Sequence, residues 1–112
     1  HTRDFIYVKD VVKVNFYFWE HPEISGIFNC GTGHAHQFNT LAKGVLKHFG
    51  SGELEYVPFP EVLKGKYQSF TQADTTNLLA AGYNGGFTPI EDAIAEYCAL
   101  LDKTGGYYVY ER

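Results

Sequence analysis

Short strand-like runs alternate with helix-like segments along this chain, and that alternation limits it to a fold in which helices pack on a sheet. Apolar runs with strand composition occupy 5–8 and 27–30, and residues 53–57 alternate charged and apolar side chains as in a half-exposed strand. Segments with helical spacing follow the first two runs, and two more follow the third. The order predicts an α/β fold. The run at 27–30 does not alternate cleanly, so we expect a strand buried on both faces of a parallel sheet.

Capping and breaking residues predict where the helices begin and end. Asp10 is a candidate N-cap for the first helix, and Pro22 stops it. The clearest helix covers 38–49 and ends at Gly50. Asp74 caps a short helix closed by a glycine, and Thr-Pro-Ile-Glu at 88–91 predicts a capping box that starts the last helix.

Size and charge exclude several classes of protein. The chain has 112 residues, which is enough for one domain, and its formal net charge is −4. We therefore expect no generic binding to nucleic acid, and no run approaches the length of a membrane span. Cys30 and Cys98 are far apart, so neither a disulfide nor a zinc site is expected, and a cytoplasmic setting is favoured. Because the sequence lacks methionine, we expect it to be a piece of a longer polypeptide.

Two motifs that suggest ligand binding have simpler interpretations. Gly-Thr-Gly at 31–33 follows a strand-like run, but His36 stands where a dinucleotide fingerprint needs its third glycine, so a tight turn is favoured. His34 and His36 lack further ligands at metal-binding spacing, so no metal site is expected. Both cysteines fall on apolar faces, where cysteine is an inert packing residue.

Arg3 and the loop at 64–68 are the candidates for binding an anion. The planar fork of an arginine suits phosphate oxygens, although Arg3 beside Asp4 can equally form a surface ion pair. The loop combines Lys64, Lys66 and Tyr67, and it can either close over an anionic ligand that contains a ring or remain solvated. Taken alone, these residues indicate an α/β unit with part of an anion-binding groove.

Several motifs resemble the extended short-chain dehydrogenase/reductases that act on nucleotide sugars. The signature Arg-Asp-Phe-Ile-Tyr-Val-Lys-Asp-Val occupies 3–11, and the matching strand and turn occupy 26–33. Further matches lie at 73–78, 81–83 and 88–91. The stretches 55–60 and 63–74 resemble more specifically the ADP-L-glycero-D-manno-heptose 6-epimerase family. The resemblance runs from Arg3 to about Leu101.

The resemblance implies an isomerase whose N-terminal Rossmann domain binds NADP and whose C-terminal part binds the ADP-sugar. Such an enzyme inverts C6 of the heptose through a transient 6-keto intermediate, in the synthesis of a lipopolysaccharide inner-core precursor. Neither the glycine-rich fingerprint nor the catalytic Tyr-x-x-x-Lys occurs here, so this portion alone is expected to be inactive. We expect residues 1–103 to be the substrate-binding portion and 104–112 a tail of unknown role, either a strand or an unstructured end.

The resemblance also assigns site residues. Arg3 aligns with an arginine expected to contact the ADP moiety, and Tyr67 aligns with a tyrosine of the substrate pocket, while Lys64 and Lys66 add positive potential. No catalytic, cofactor-binding or metal-binding residue is expected within the chain. The full enzyme is expected to be a homo-oligomer, and the run at 27–30 to join its Rossmann sheet, so the isolated piece should be weakly stable and prone to associate. Two alternatives stay open, a binding module without catalysis and an epimerase or dehydratase for another nucleotide sugar.

Overall fold

The computed structural model describes residues 1–105, which form a small mixed α/β fold of four helices and a two-stranded antiparallel sheet. The strands are β1 (Thr2–Arg3) and β2 (His36–Gln37), with Thr2 paired to Gln37 and Arg3 to His36. The helices are α1 (Val8–Glu20), α2 (Phe38–Phe49), α3 (Thr76–Ala80) and α4 (Ile90–Lys103), and a 3₁₀ turn covers Glu61–Leu63. The predicted tail beyond Gly105 lies outside the described residues.

The strand-like runs at 5–8, 27–30 and 53–57 are not strands here, so the prediction of a parallel sheet is wrong for the described residues. Val8 opens α1, and no described backbone hydrogen bond involves 27–30 or 53–57. A strand exists only where a neighbouring segment exchanges backbone hydrogen bonds with it, and residues 1–105 place no such segment beside these runs. Ile27 consequently leaves 92% of its surface exposed.

The predicted ends of α1 and α2 are confirmed, whereas the N-cap of α3 is Thr75 and not the predicted Asp74. Helix α2 spans the expected residues, and Gly50 adopts φ +72° while its N–H donates to the Leu46 carbonyl at 2.8 Å. Helix α1 ends at Glu20, two residues before Pro22. The Asp74 carboxylate accepts from both the N–H and the hydroxyl of Thr76, at 3.0 and 2.6 Å, at the start of α3.

The two other predicted caps bind each other instead of their own helices. Asp10 lies inside the first turn of α1 and is only 3% exposed. Its carboxylate accepts from the N–H of Thr88 at 2.8 Å and from the Thr88 hydroxyl at 2.9 Å. The predictions of an Asp10 N-cap and a Thr88 capping box are therefore wrong, because a buried carboxylate gains more from these tertiary donors than a local cap provides.

Two small apolar clusters replace a single core. One joins Val14, Leu78 and Tyr83 with neighbouring aromatic rings, and the other joins Ile90, Ile94 and Cys98 of α4 with residues of α2 and Phe5. Their separation leaves an extended molecule, with a radius of gyration of 16.8 Å against about 13 Å for a compact chain of this length. The accessible surface is 8600 Å², whereas a compact protein of this mass exposes about 6,200 Å². None of the described helices is long and apolar enough to cross a bilayer.

Candidate functional site

Arg3 and Tyr67, the two residues assigned to substrate binding, lie against each other. The guanidinium carbon of Arg3 is 4.7 Å from the centroid of the Tyr67 ring and 5.9 Å from that of Phe38. Both distances fall within the range of cation–π attraction. The fold thus brings a cation from β1 and a ring from the 64–68 loop to one place on the surface.

Backbone pairing next to Arg3 fixes this arrangement. The Thr2 N–H donates to the Ser69 carbonyl at 2.8 Å, and the Thr71 N–H donates to the Thr2 carbonyl at 3.2 Å. The Arg3 side chain donates from Nη1 to the Thr2 carbonyl at 2.7 Å and from Nη2 to the Gln68 carbonyl. These two bonds use two of the five N–H donors of an arginine, so the oriented fork keeps donors for a ligand.

Two further rings adjoin Tyr67 and were not singled out from the sequence. The ring centroids of His1 and Phe59 lie 5.0 and 5.6 Å from that of Tyr67, and 5.2 Å from each other. Tyr67 is 42% exposed, so its ring is open to a ligand. Phe59 lies between Pro58 and Pro60, which restrict the backbone on both sides of it. This feature of the sequence could have indicated Phe59 as a candidate.

Asp4 does not pair with Arg3 but holds the backbone around the site. Its carboxylate accepts from the Thr32 N–H at 3.0 Å, the Thr32 hydroxyl at 2.5 Å, the Gly33 N–H at 2.9 Å and the Ala73 N–H at 3.2 Å. Among the described ion pairs none joins Arg3 to Asp4, so the surface-pair interpretation is wrong. Sequence reasoning missed this role because it depends on segments far from Asp4 in the chain.

The Asp4 hydrogen bonds also explain the turn at 31–33. Burial raises the pKa of the Asp4 carboxyl, but the donors of Thr32, Gly33 and Ala73 outweigh it and lower the pKa below its usual value of 3.8. A Cβ on Gly31 would lie 2.5 Å from the Ala73 Cβ and 2.7 Å from Asp4 Oδ2. The turn therefore binds an internal carboxylate, which agrees with the prediction of a tight turn rather than a phosphate cradle.

The lysines of the loop contribute less than their charge suggests. Lys64 Nζ lies 2.8 Å from Glu61 Oε1, so its charge is largely balanced within the 3₁₀ turn. Gly65 adopts φ +75°, which lets the chain turn between Lys64 and Lys66. Arg3 is the cation described over the Tyr67 ring.

The remaining candidates gather no ligand set. Within residues 1–105 no group of His, Cys, Asp and Glu could hold a metal ion. Cys98 is buried as expected. Cys30 lies beside apolar side chains but is exposed, so the prediction of a packing residue is wrong for it. Partial desolvation, with Asp4 and Asp10 nearby, raises the pKa of its thiol. A cleft of about 580 Å³ near His34 includes neither Arg3 nor Tyr67, so their site is an open surface rather than part of that cleft.

No protein-family model matches the chain. Its function is therefore inferred from the chemistry that Arg3, Tyr67 and the adjoining rings of His1 and Phe59 provide. A fixed cation beside exposed rings can bind a ligand that carries both negative charge and a planar ring.

Proposed function

We propose that the chain is the substrate-binding portion of an NADP-dependent ADP-L-glycero-D-manno-heptose 6-epimerase, which inverts C6 through a 6-keto intermediate in lipopolysaccharide precursor synthesis. One observation carries the proposal. The resemblance assigns Arg3 and Tyr67 to the substrate, and the two residues are far apart in sequence. In the fold the guanidinium carbon of Arg3 lies 4.7 Å from the centroid of the Tyr67 ring. The contact supports the proposal because one substrate molecule can reach both residues only if they lie together.

The chemistry of the site suits an ADP-sugar. The guanidinium of Arg3 can donate charge-assisted hydrogen bonds to the diphosphate, and its two backbone anchors hold it in place before the ligand arrives. Tyr67 and Phe59 offer ring faces to the adenine or the sugar. The site orients a substrate and holds no acid or base that the proposal assigns to C6.

The Gly-Thr-Gly turn at 31–33 does not fit the pyrophosphate of NADP. The Gly-Thr-Gly turn is the motif nearest to a dinucleotide fingerprint, and the N–H groups of Thr32 and Gly33 already bind the Asp4 carboxylate. In the proposal, a Rossmann domain of the complete enzyme binds NADP and contributes the Tyr-x-x-x-Lys pair. This chain contributes the orientation of the nucleotide sugar.

Calorimetric titration of the chain with an ADP-linked hexose tests the substrate-binding role. Arg3→Ala should weaken binding by about tenfold or more, because a hydrogen bond to a charged group contributes about 1.5–3 kcal/mol. Tyr67→Ala should weaken it through the lost ring face. Lys47→Ala, in the last turn of α2, removes the same charge away from the site and should leave the affinity unchanged. Equal affinities for wild type and Arg3→Ala would refute the site.

The nucleotide base decides the finer assignment. The same titration with UDP-, GDP- and dTDP-linked sugars should give weaker binding than the ADP-linked sugar. A preference for another base would retain the substrate-binding role of Arg3 and Tyr67 but assign the chain to an epimerase or dehydratase of a different nucleotide sugar.

A binding module without catalysis is the second candidate, favoured by one feature of the sequence. None of the tyrosines in the 112 residues has a lysine four positions later, so the expected acid–base pair is not among them. The intact mass of the native polypeptide separates the candidates. A larger mass, with a glycine-rich fingerprint and Tyr-x-x-x-Lys encoded upstream, supports the enzyme; a native mass near 12.6 kDa supports the module.

A further inference from the structure

Asn84 is the only asparagine of the sequence that precedes a glycine, and it lies in the loop between α3 and α4. Asn84, Gly85 and Gly86 are all exposed. Glycine has no Cβ and adopts more backbone conformations than other residues, so the backbone nitrogen that follows Asn84 is neither shielded nor restricted by a side chain. The side-chain amide of Asn84 is therefore within reach of the Gly85 nitrogen.

The loop leaves this nitrogen free to react. Within residues 1–105, no described hydrogen bond uses a backbone N–H of residues 84–87 as its donor. The loop is held through carbonyls instead, because the Gly85 oxygen accepts from Lys13 Nζ at 2.9 Å and the Gly86 oxygen accepts from the Tyr83 hydroxyl at 3.1 Å. A backbone N–H that is bonded within a helix or a strand is protected, since its hydrogen bond must open first. The described structure gives the Gly85 N–H no such protection.

We propose that Asn84 is a site of spontaneous deamidation, and that the product weakens the apolar cluster around Leu78. The Gly85 nitrogen loses its proton and forms a bond to Asn84 Cγ, the bond from Cγ to Nδ2 breaks, and ammonia leaves. Water then opens the cyclic imide at one of its two carbonyls. Opening at the side-chain carbonyl gives aspartate, and opening at the main-chain carbonyl gives isoaspartate, in which the chain runs through the side chain. Neither step consumes an oxidant or a reductant.

Isoaspartate changes the backbone next to a buried ring. It adds a methylene to the chain between positions 84 and 85, inside the short loop that the Tyr83 hydroxyl closes. A Cβ built on Gly85 would lie 2.8 Å from that hydroxyl oxygen, so the backbone of Gly85 already packs closely on the Tyr83 side chain. Tyr83 is 4% exposed and belongs to the cluster around Leu78. Lengthening the loop here therefore displaces a ring from a packed cluster. Neither Arg3 nor Tyr67 lies in this loop, so the inference is independent of the proposed function.

Peptide mapping by mass spectrometry, after incubation in water labelled with a heavy oxygen isotope, tests the modification. The peptide that contains Asn84 should gain labelled oxygen, and the rate should rise with pH because the Gly85 nitrogen must lose its proton. Conversion should be about tenfold or more faster than at Asn29, an exposed asparagine that precedes a cysteine; this ratio corresponds to about 1.4 kcal/mol in activation free energy. Asn84→Gln, whose side chain would have to close a larger ring, should leave this peptide unlabelled. Equal rates at Asn84 and Asn29 would overturn the proposal.

Urea unfolding of fresh and aged protein tests the effect on the cluster. Wild type in which Asn84 has been converted should have an equilibrium constant for unfolding several-fold higher than the fresh chain, because the bond from the Tyr83 hydroxyl is lost or strained. Asn84→Asp adds the charge without the extra backbone carbon and should unfold like the fresh chain, while Asn84→Gln should not change on ageing. An aged chain that contains isoaspartate yet unfolds like the fresh one, or an equal loss of stability in Asn84→Asp, would overturn the effect on the cluster.

Discussion

Asp4 shows at the scale of one residue how this fold makes its site. A single carboxylate gathers the turn at 31–33 and the segment at Ala73 around β1, and the neighbouring Arg3 is thereby free to pack on Tyr67. Sequence resemblance predicted Arg3 and Tyr67 because both stand in recognisable motifs. Asp4 and Phe59 stand in the same motifs, but their roles were missed because they depend on partners that only the folded chain brings together.

Replacing Asp4 should make the stability of the chain less dependent on pH. The pKa of Asp4 is lowered in the folded state, so the unfolded state binds more protons as the pH falls. The stabilisation is therefore complete above about pH 5 and is lost as the pH falls through the folded pKa. Asp4→Asn should lower the free energy of unfolding at pH 7 by about 2–3 kcal/mol and flatten its acid dependence.

Urea unfolding of wild type and Asp4→Asn between about pH 3 and pH 7, a range that spans the carboxyl titration, measures the pH dependence of the free energy of unfolding. The difference between the two proteins should shrink toward the acid end. A difference that grows as the pH falls would show that the Asp4 carboxyl is not stabilised in its charged form.

At the scale of elements, helix positions were predictable and strands were not. The apolar spacing and Gly50 fixed α2 because a helix satisfies its own backbone and needs only one packed face. The runs at 27–30 and 53–57 have strand composition, but a strand depends on a neighbour that sequence spacing does not reveal. The caps failed for a related reason, because the Asp10 carboxylate in α1 binds Thr88, which lies in the loop before α4.

The hydrogen bonds between Asp10 and Thr88 predict contrasting effects for two substitutions. Thr88→Val removes a donor from the buried Asp10 carboxylate and should lower the free energy of unfolding by about 1–3 kcal/mol. Glu91→Ala removes the other half of the predicted capping box, and it should cost no more than about 0.5 kcal/mol through the helix dipole. Denaturant unfolding of both variants decides between the tertiary bond and the capping box, since equal costs would favour the box.

The molecule as a whole is an open assembly of two apolar clusters. Its radius of gyration of 16.8 Å and its surface of 8600 Å² are larger than those of a compact chain of this length, while weak stability and association stay predictions. Sequence composition does not show how apolar residues divide between buried and exposed faces. Phe16 and Trp19 of α1 and Ile27 are left exposed, and the run at 27–30 has no described backbone hydrogen bond.

Hydrogen exchange should reproduce this division along the chain. Amides in 27–30 and 53–57 take part in no described backbone hydrogen bond and should exchange fastest. Amides in the middle of α2 and α4, which pack against each other at Gly44 and Ile94, should exchange slowest. Strong protection across 27–30 in the monomer would mean that a strand partner exists within the chain.

Mapping the binding of an ADP-linked sugar onto the chain by NMR is the most direct test of the central claim. The account predicts that amide resonances shift at 1–3, around Phe59 and at 67–70, and that these shifts vanish in Arg3→Ala while the rest of the spectrum is kept. Shifts centred on the 31–33 turn and the start of α4, or shifts that persist without the Arg3 side chain, would contradict it.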